Sequence, residues 1–481
     1  MGPPEKQPSE PAGDQAAERA VPPDMTATDT PTSDPAPDIP EVEKKAEARI
    51  GLPEGTLTVG GGLITAGLAA YGFIVVSARA LGTEETGGLS GLWALIFILG
   101  PGFFLPLEQE VARALADRRA RGLGGGPLVK RAVALGSVVA GTLAVAALVF
   151  STLLLHSLLD GSVMLLVGLI IGIFAFYAQH LTRGTLSGNG RFGAYGLLLG
   201  SEGVLRLLGC IALAVIGVGF AGPYGLVLGL APAAATLLAL RGQHGLVTDG
   251  PEAPWSELST HLGWLLCGSV LAQTLAYAAI VAVNLLATDA EADAAGQFFT
   301  ASLVTRIPIL LFQAVQAALL PKLAGLAGAG KHVEFKAGLR QLLLLVVGVT
   351  VLGVGASYAI GPWAVGVLFG EEFAETLGRS DLALLALGSC LFIAAMTLAQ
   401  ALIALVRHSH AAYGWMAGVV VFVIVTALVD GLFLRAELGF VCGAAVAVAV
   451  MGAFVIARLR SYAPKSSRAL VEVLEHEPLE L

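Results

Sequence analysis

Apolar positions in this chain come in long runs rather than in alternation. From residue 57 onward, twelve mostly apolar stretches follow one another, at 57–78, 88–112, 131–155, 162–183, 193–217, 222–241, 260–286, 297–320, 339–360, 381–405, 411–430 and 438–458. A run of about 20 apolar residues is what a helix needs to cross a hydrocarbon core about 30 Å thick. Within such a core only helices and closed barrels satisfy their own backbone. The pattern predicts an all-α, polytopic membrane protein with twelve transmembrane helices. Residues 1–50 break the pattern, with ten prolines and no apolar periodicity, and predict a disordered cytoplasmic tail. A short surface helix over 42–50 is the one candidate element there.

Two of the runs carry interruptions at matching depth. The run 88–107, GLSGLWALIFILGPGFFLPL, holds Gly100, Pro101 and Gly102, and the run 296–323 holds Pro308 two residues after Arg306. Gly88 to Gly296 is an offset of 208 and Pro101 to Pro308 one of 207. Two more short matches keep the order: Ala194-Tyr195-Gly196 with Ala412-Tyr413-Gly414 at 218, and Gly225/Gly229 with Gly439/Gly443 at 214. Together they predict a six-plus-six duplication, with lobes over 57–241 and 260–460, a cytoplasmic inter-lobe loop over 242–259 and a C-terminal tail over 461–481. Six is an even number, so the halves run parallel, related by a pseudo-two-fold axis along the membrane normal. Paired interrupted helices in two halves are a pointer to a transport site. Gly100, Pro101, Gly102 and Pro308 are therefore candidate hinges. The Gly-x-x-x-Gly pairs are read as close helix packing.

Polar residues inside the runs supply the candidate chemistry. Arg306 lies about 15 Å below the entry of its helix, where an arginine costs at least about 2.5 kcal/mol unless a cavity, partner or ligand faces it. Helical spacing puts Ser302, Arg306 and Gln313 on one stripe of span eight. Span five carries Arg191, Tyr195, Glu202 and Arg206, the last two an i,i+4 pair with a plain reading as a structural ion pair. Span seven adds Ser269, Gln273, Tyr277 and Asn284. These stripes predict a wet interior shared by both halves. Glu108 and Glu110 follow Pro106 at the inner end of span two. They read either as a solvated salt-bridge cluster with Arg113 and Asp117 or as a cation or proton site.

Composition agrees with this picture and adds an orientation. The chain is 56% hydrophobic and 13% charged, with a mean hydropathy of +0.78. The net charge of −8 is mostly the tail's, since residues 1–50 hold eleven acids against five bases, and no nucleic-acid partner is implied. With the N-terminus inside, 21 of the 28 basic residues fall in inner loops and near-membrane tails and three, Arg79, Arg379 and Arg435, fall outside. The positive-inside rule then places both termini in the cytoplasm. Four cysteines without a C-x-x-C pair read as small core residues. His408 and His410 show no metal-ligand spacing with other residues. Gly325 to Lys331 fits G-x-x-x-x-G-K, but His332 replaces the Ser or Thr of a phosphate loop and no strand precedes it. No cofactor, metal or catalytic residue is expected, and no cleavable signal is visible.

The stretches ARALGTEETGGLSGLWAL (78–95), RGTLSGNGRFGAYG (183–196), TRIPILLFQAVQAALLPKL (305–323) and GPWAVGVLFGEEF (361–373) resemble polysaccharide-biosynthesis, O-antigen-type flippases. These are membrane proteins of the multidrug/oligosaccharidyl-lipid/polysaccharide (MOP) exporter superfamily. The resemblance implies two six-helix lobes forming a V about a central cavity, alternating between inward- and outward-open states. It implies a bacterial cytoplasmic-membrane exporter of polyprenyl-pyrophosphate-linked oligosaccharide or polysaccharide, with glycosyltransferases or a polymerase as candidate partners besides the membrane lipids. Related lipid II flippases use basic residues on cavity helices for the pyrophosphate, and Arg306 is the counterpart by helix. Those relatives commonly carry fourteen spans, and twelve favour the oligosaccharide or polysaccharide branch. The proline-rich tail departs from the family pattern. Two other classes compete: a cation-coupled multidrug-type antiporter, which would need buried acids, and a non-transporting scaffold of a glycan-synthesis complex, which would need no wet cavity.

Overall fold

The computed structural model describes residues 56–258, 262–288, 291–309, 312, 323, 325–375 and 377–461. The expected tail over 1–50, the C-terminal residues from 462 on and Gln313 lie outside these. Twelve helices occur among the described residues. They are α1 (Thr56–Ala120), α2 (Gly126–Val149), α3 (Ser151–Ser157), α4 (Val163–Gly188), α5 (Phe192–Val215), α6 (Ala221–Leu240), α7 (Leu262–Leu286), α8 (Ala292–Val304), α9 (His332–Phe369), α10 (Arg379–Ala404), α11 (His408–Leu428) and α12 (Leu432–Ser461). Ten of these are long and apolar enough to cross a membrane. The all-α, multi-pass architecture expected from the runs is present.

Spans one and two are fused into one helix. If straight, α1 would be roughly 97 Å long at 1.5 Å per residue, about three membrane thicknesses. It breaks at Gly82, whose φ of 74° and ψ of −178° only glycine adopts readily. The two limbs account for two expected spans, so eleven of the twelve are recovered as long helices. The twelfth, span eight, is described as α8 and a short continuation at 307–309.

The expected break at Gly100-Pro101-Gly102 is not there. The second limb stays helical through Pro101 and Pro106, and Gly82 is its one non-helical position. A proline removes one helical bond, yet membrane helices tolerate it where neighbouring groups satisfy the backbone. At the same level Ser269 of α7 donates to the carbonyl of Pro101 itself at 3.2 Å, a bond between the lobes rather than a partner for the Phe97 carbonyl that the missing N–H would have met. Span eight does break, one turn earlier than Pro308. Helix α8 ends at Val304, Thr305 and Arg306 form a turn, and Pro308 sits in the resumed segment, where its missing N–H has no helical partner to lose.

Helix packing repeats between the halves. The first limb of α1 lies on α5 as α7 lies on α11, and α4 packs on α6 as α10 packs on α12. Glycine makes these approaches close: a Cβ at Gly229 would stand 2.5 Å from the Gly168 carbonyl oxygen, and one at Gly443 2.7 Å from that of Gly418. Apolar side chains such as Val351, Leu352, Trp363 and Leu428 face outward, as lipid-facing surfaces do. The inter-lobe loop is fastened to the α1–α2 turn. Arg118, only 1% exposed, donates to Glu257 at 2.8 Å and to the Pro251 and Gly124 carbonyls, and Arg131 lies over the Trp255 ring at 5.3 Å. The phosphate-loop lookalike is helical over 325–328 and ends at Gly330, and Lys331 pairs with Glu334.

Candidate functional site

The two lobes meet along a seam where α1 faces α7 and α8. At one end Arg79 donates to the Leu368 and Val367 carbonyls at 2.7 and 2.5 Å, and Thr83 donates to Asp293 at 2.5 Å. Gly296 lies on the Thr83 carbonyl so closely that a Cβ would stand 2.1 Å away. Further along, Asn284 donates to the Ser90 hydroxyl at 3.1 Å and Tyr71 to the Leu303 carbonyl at 3.1 Å. The Ser269 bond to Pro101 marks the other limit of these contacts. The seam therefore occupies the half of the bundle away from the helix ends at Ala120, Leu240 and Leu262.

At mid-depth the seam holds two arginines, one from each lobe, joined by aromatic rings, with Arg206 buried and Arg306 half-buried. The break after Val304 turns the Arg306 guanidinium across α7, where it donates to the Ala276 carbonyl and lies 4.7 Å from the Tyr277 ring centroid. Tyr277 stacks on Phe97 at 6.0 Å, and Phe97 meets Trp93 at 4.6 Å. Trp93 and Phe73 then flank the Arg206 guanidinium at 5.5 and 5.9 Å. The ring quadrupoles stabilise both cations where water is excluded. Arg206 is 2% exposed and pairs with Glu202 at 2.8 Å, as the i,i+4 spacing predicts. Arg306 forms no ion pair among the described residues. Ser302, one turn before it, is buried, and its hydroxyl has no hydrogen-bond partner among the described residues.

The other sequence candidates fall in different places. Gln273 lies against Gly102 in the seam. Asn284 donates to Ser90 and to the Ile280 carbonyl at 2.9 Å, clasping the lobes together at the edge of a small cavity that it lines with Glu84, His156 and Asp160. Along spans seven and eight, Ser269, Gln273, Tyr277 and Arg306 stay half-exposed beside α1, while Ser302 is buried. Arg191 caps α5 from the outside and donates to the His244 carbonyl.

Glu108 and Glu110 part company. Two residues along a helix is a turn of about 200°, so neighbours at that spacing point to opposite faces. Glu110, itself only 7% exposed, binds the exposed Arg113 at 2.8 Å, whereas Asp117 pairs with Arg121. Glu108 turns inward. Its carboxylate receives His180 at 2.6 Å and the Tyr195 hydroxyl at 3.0 Å, with Arg183 at 3.3 Å. This buried carboxylate–imidazole–guanidinium cluster of the first lobe corrects the interfacial reading of Glu108. His180 and Arg183 went unnoticed because they close span four, where polar residues read as a helix end; their i,i+3 spacing was the available signal.

A second group the spacing did not single out is Glu437, in the first turns of α12. It is 0% exposed, and neither carboxylate oxygen has a hydrogen-bond partner among the described residues. No group of His, Cys, Asp and Glu with metal-ligand geometry occurs among the described residues.

No family model matches the chain. An uncharacterized protein of Mycobacterium tuberculosis (strain ATCC 25618 / H37Rv) is 28% identical over 294 residues, 59% of this chain. One from Mycobacterium bovis is equally similar over the same length. The chain spans about 65% of the length of these curated relatives. Among solved structures, an inward-facing multidrug-resistance MATE transporter of the MOP superfamily superposes with a TM-score of 0.65 at 18% identity, covering 88% of this chain and 98% of the other. An outward-facing MATE transporter gives 0.62 at 15% identity, covering 85% and 96%. A MOP superfamily transporter of Pyrococcus furiosus, described as having a binding pocket of reversed polarity, gives 0.63 at 15%, covering 85% and 96%. The chain has the two-lobed fold of MOP superfamily transporters.

Proposed function

We propose that the protein is an alternating-access exporter moving a polyprenyl-pyrophosphate-linked oligosaccharide or polysaccharide precursor across a bacterial cytoplasmic membrane. The observation that carries this reading is Arg306, a half-buried guanidinium held at a helix break, with no ion pair among the described residues and with aromatic rings linking it to a second arginine. A cationic drug would be repelled there, whereas a diphosphate would be attracted. A planar guanidinium stays charged and donates paired, charge-assisted hydrogen bonds to phosphate oxygens. The Pyrococcus furiosus relative supports the idea that this fold accommodates pockets of opposite polarity.

In this reading the seam is the closed gate of one state, and its opening exposes Ser302, Arg306, Gln273 and Tyr277 to the substrate's headgroup. Glu202 holds Arg206, so the two arginines differ in role: one is neutralised by its own lobe and the other awaits the ligand.

Flux of a fluorescent polyprenyl-pyrophosphate sugar in proteoliposomes tests the reading. Arg306→Ala is expected to abolish flux with thermal stability retained, and Arg306→Lys to keep part of it, since lysine keeps the charge and loses the fork. Full flux by Arg306→Ala removes the phosphate site. The competing antiporter reading draws on Glu437, an unpaired buried acid in a fold shared with MATE transporters. It predicts efflux of organic cations that Glu437→Gln abolishes and Arg306→Ala spares.

A further inference from the structure

At the end of the bundle opposite the seam's Arg79 clamp, a cavity of about 300 Å³ opens in the second lobe. It is lined by Leu402, Arg407, His410, Phe454, Ala457 and Arg458. Three helices build it: α10 ends at Ala404, α11 starts at His408, and α12 passes its last turns there. The three-residue link between α10 and α11 is forced through Val406 at a φ of 57°. A β-branched residue tolerates that conformation poorly, and it sets Arg407 at the cavity mouth. The floor is apolar, from Leu402, Phe454 and Ala457, and the polar part of the lining is entirely basic.

The ring of His410 stands edge-on to Phe454 at 4.6 Å, which fixes the imidazole over this floor. Arg407 is exposed and forms no ion pair among the described residues. The level of the cavity is marked by a neighbouring pair, Trp264 and Tyr413, in edge-to-face contact at 5.4 Å and both exposed. Amphipathic rings of that kind favour the headgroup level of a bilayer. A basic mouth over an apolar floor, at headgroup depth, complements a molecule with an anionic head and a hydrocarbon body.

We propose that this cavity is a binding site for the phosphate headgroup of an anionic membrane phospholipid, with the start of its acyl chain on the Leu402–Phe454 floor. Basic pockets between membrane helices hold such headgroups on the side where anionic lipids concentrate. That is the side the charge distribution assigns to the cytoplasm. The site is remote from Arg306, and neither depends on the other.

Full-length protein stripped of lipid is exposed to equal amounts of dioleoyl phosphatidylglycerol and dioleoyl phosphatidylcholine, and bound lipid is counted by native mass spectrometry. Wild type is expected to retain phosphatidylglycerol over phosphatidylcholine. Arg407→Ala is expected to lower that retention about fivefold, the worth of one basic residue at an anionic surface, with phosphatidylcholine retention and melting temperature unchanged. Arg407→Lys should keep most of it. Equal retention by wild type and Arg407→Ala, or no preference between the lipids, overturns the proposal. Displacement of bound phosphatidylglycerol by millimolar inorganic phosphate would make the ligand free phosphate and also overturns it. One competing occupant belongs to the chain itself, the acidic segment with Glu472, Glu475, Glu477 and Glu480. Replacing all four by Gln in the full-length chain should leave retention unchanged. Phosphatidylglycerol binding that appears only after that replacement assigns the cavity to the tail.

Discussion

Arg206 and Arg306 show how a guanidinium at membrane depth carries different meanings depending on what lies one turn away. Arg206 has Glu202 at 2.8 Å and two aromatic faces, so its charge is matched inside its own lobe. Glu202→Ala leaves that charge buried and unmatched, which is expected to cost about 3 kcal/mol, read as a lower melting temperature in detergent. A stable but transport-dead Glu202→Ala would instead make Glu202 a transport residue. Glu437 is the opposite case, a carboxyl already unmatched. Glu437→Gln replaces that carboxyl at nearly constant volume and is expected to raise the melting temperature at alkaline pH, where the carboxyl would otherwise have to carry an unpartnered buried charge; a lower melting temperature there would point to an undescribed partner. Arg306 and the Glu202–Arg206 pair were legible in the sequence because depth and i,i+4 spacing are properties of one helix. The partners of Glu108 were not, since His180, Arg183 and Tyr195 come from α4 and α5, and spacing within α1 says nothing of what faces it. Glu437 was hidden by its position near a helix start, where an acid reads as solvated.

At the scale of elements, the apolar runs located almost every helix, because membrane helices are specified by length and hydropathy. The errors concern bends. Glycine and proline at 100–102 predicted a break that α1 does not have, while the real discontinuity sits at Gly82, between the runs, where a positive φ is required. Proline marks where one helical hydrogen bond is missing, and the rest of the ladder keeps α1 helical through Pro101. Packing glycines behave more predictably. Gly229→Ala places a methyl 2.5 Å from the Gly168 carbonyl oxygen and is expected to push α4 and α6 apart at a cost of roughly 1–3 kcal/mol. Gly141→Ala, in the interior of α2 with nothing within 4 Å of its Cβ, is expected to stabilise by about 0.5–1 kcal/mol through lower unfolded-chain entropy. Thermal unfolding of the two variants in one detergent should move in opposite directions. A shift of the same sign in both would mean that the close contact is relieved without cost.

For the whole molecule, the repeated packing of α1 on α5 and α7 on α11 yields two similar bodies, and the seam between them is confined to one half of the bundle. Such a geometry favours rocking of one body on the other, provided the seam is weak enough to open. Its bonds are few, and several are exposed. Arg79 makes two of them, to backbone carbonyls of α9, at a position that water can reach. Competition with water lowers each to about 1 kcal/mol, so losing both shifts the balance between joined and parted lobes by roughly 2 kcal/mol, about thirtyfold. A state outnumbered a hundred to one would then rise to about a quarter of the molecules. Spin labels on Glu84→Cys and Glu375→Cys, both exposed and on opposite sides of the seam, would report this as a second, longer distance in Arg79→Ala. Arg379→Ala removes a basic residue at the same end that makes no bond across the seam among the described residues, and should keep the wild-type distribution. A single unchanged distance in Arg79→Ala would show that the clamp contributes nothing to closure, and would move that role to the neighbouring Thr83–Asp293 contact and to the Asn284–Ser90 contact further along the seam.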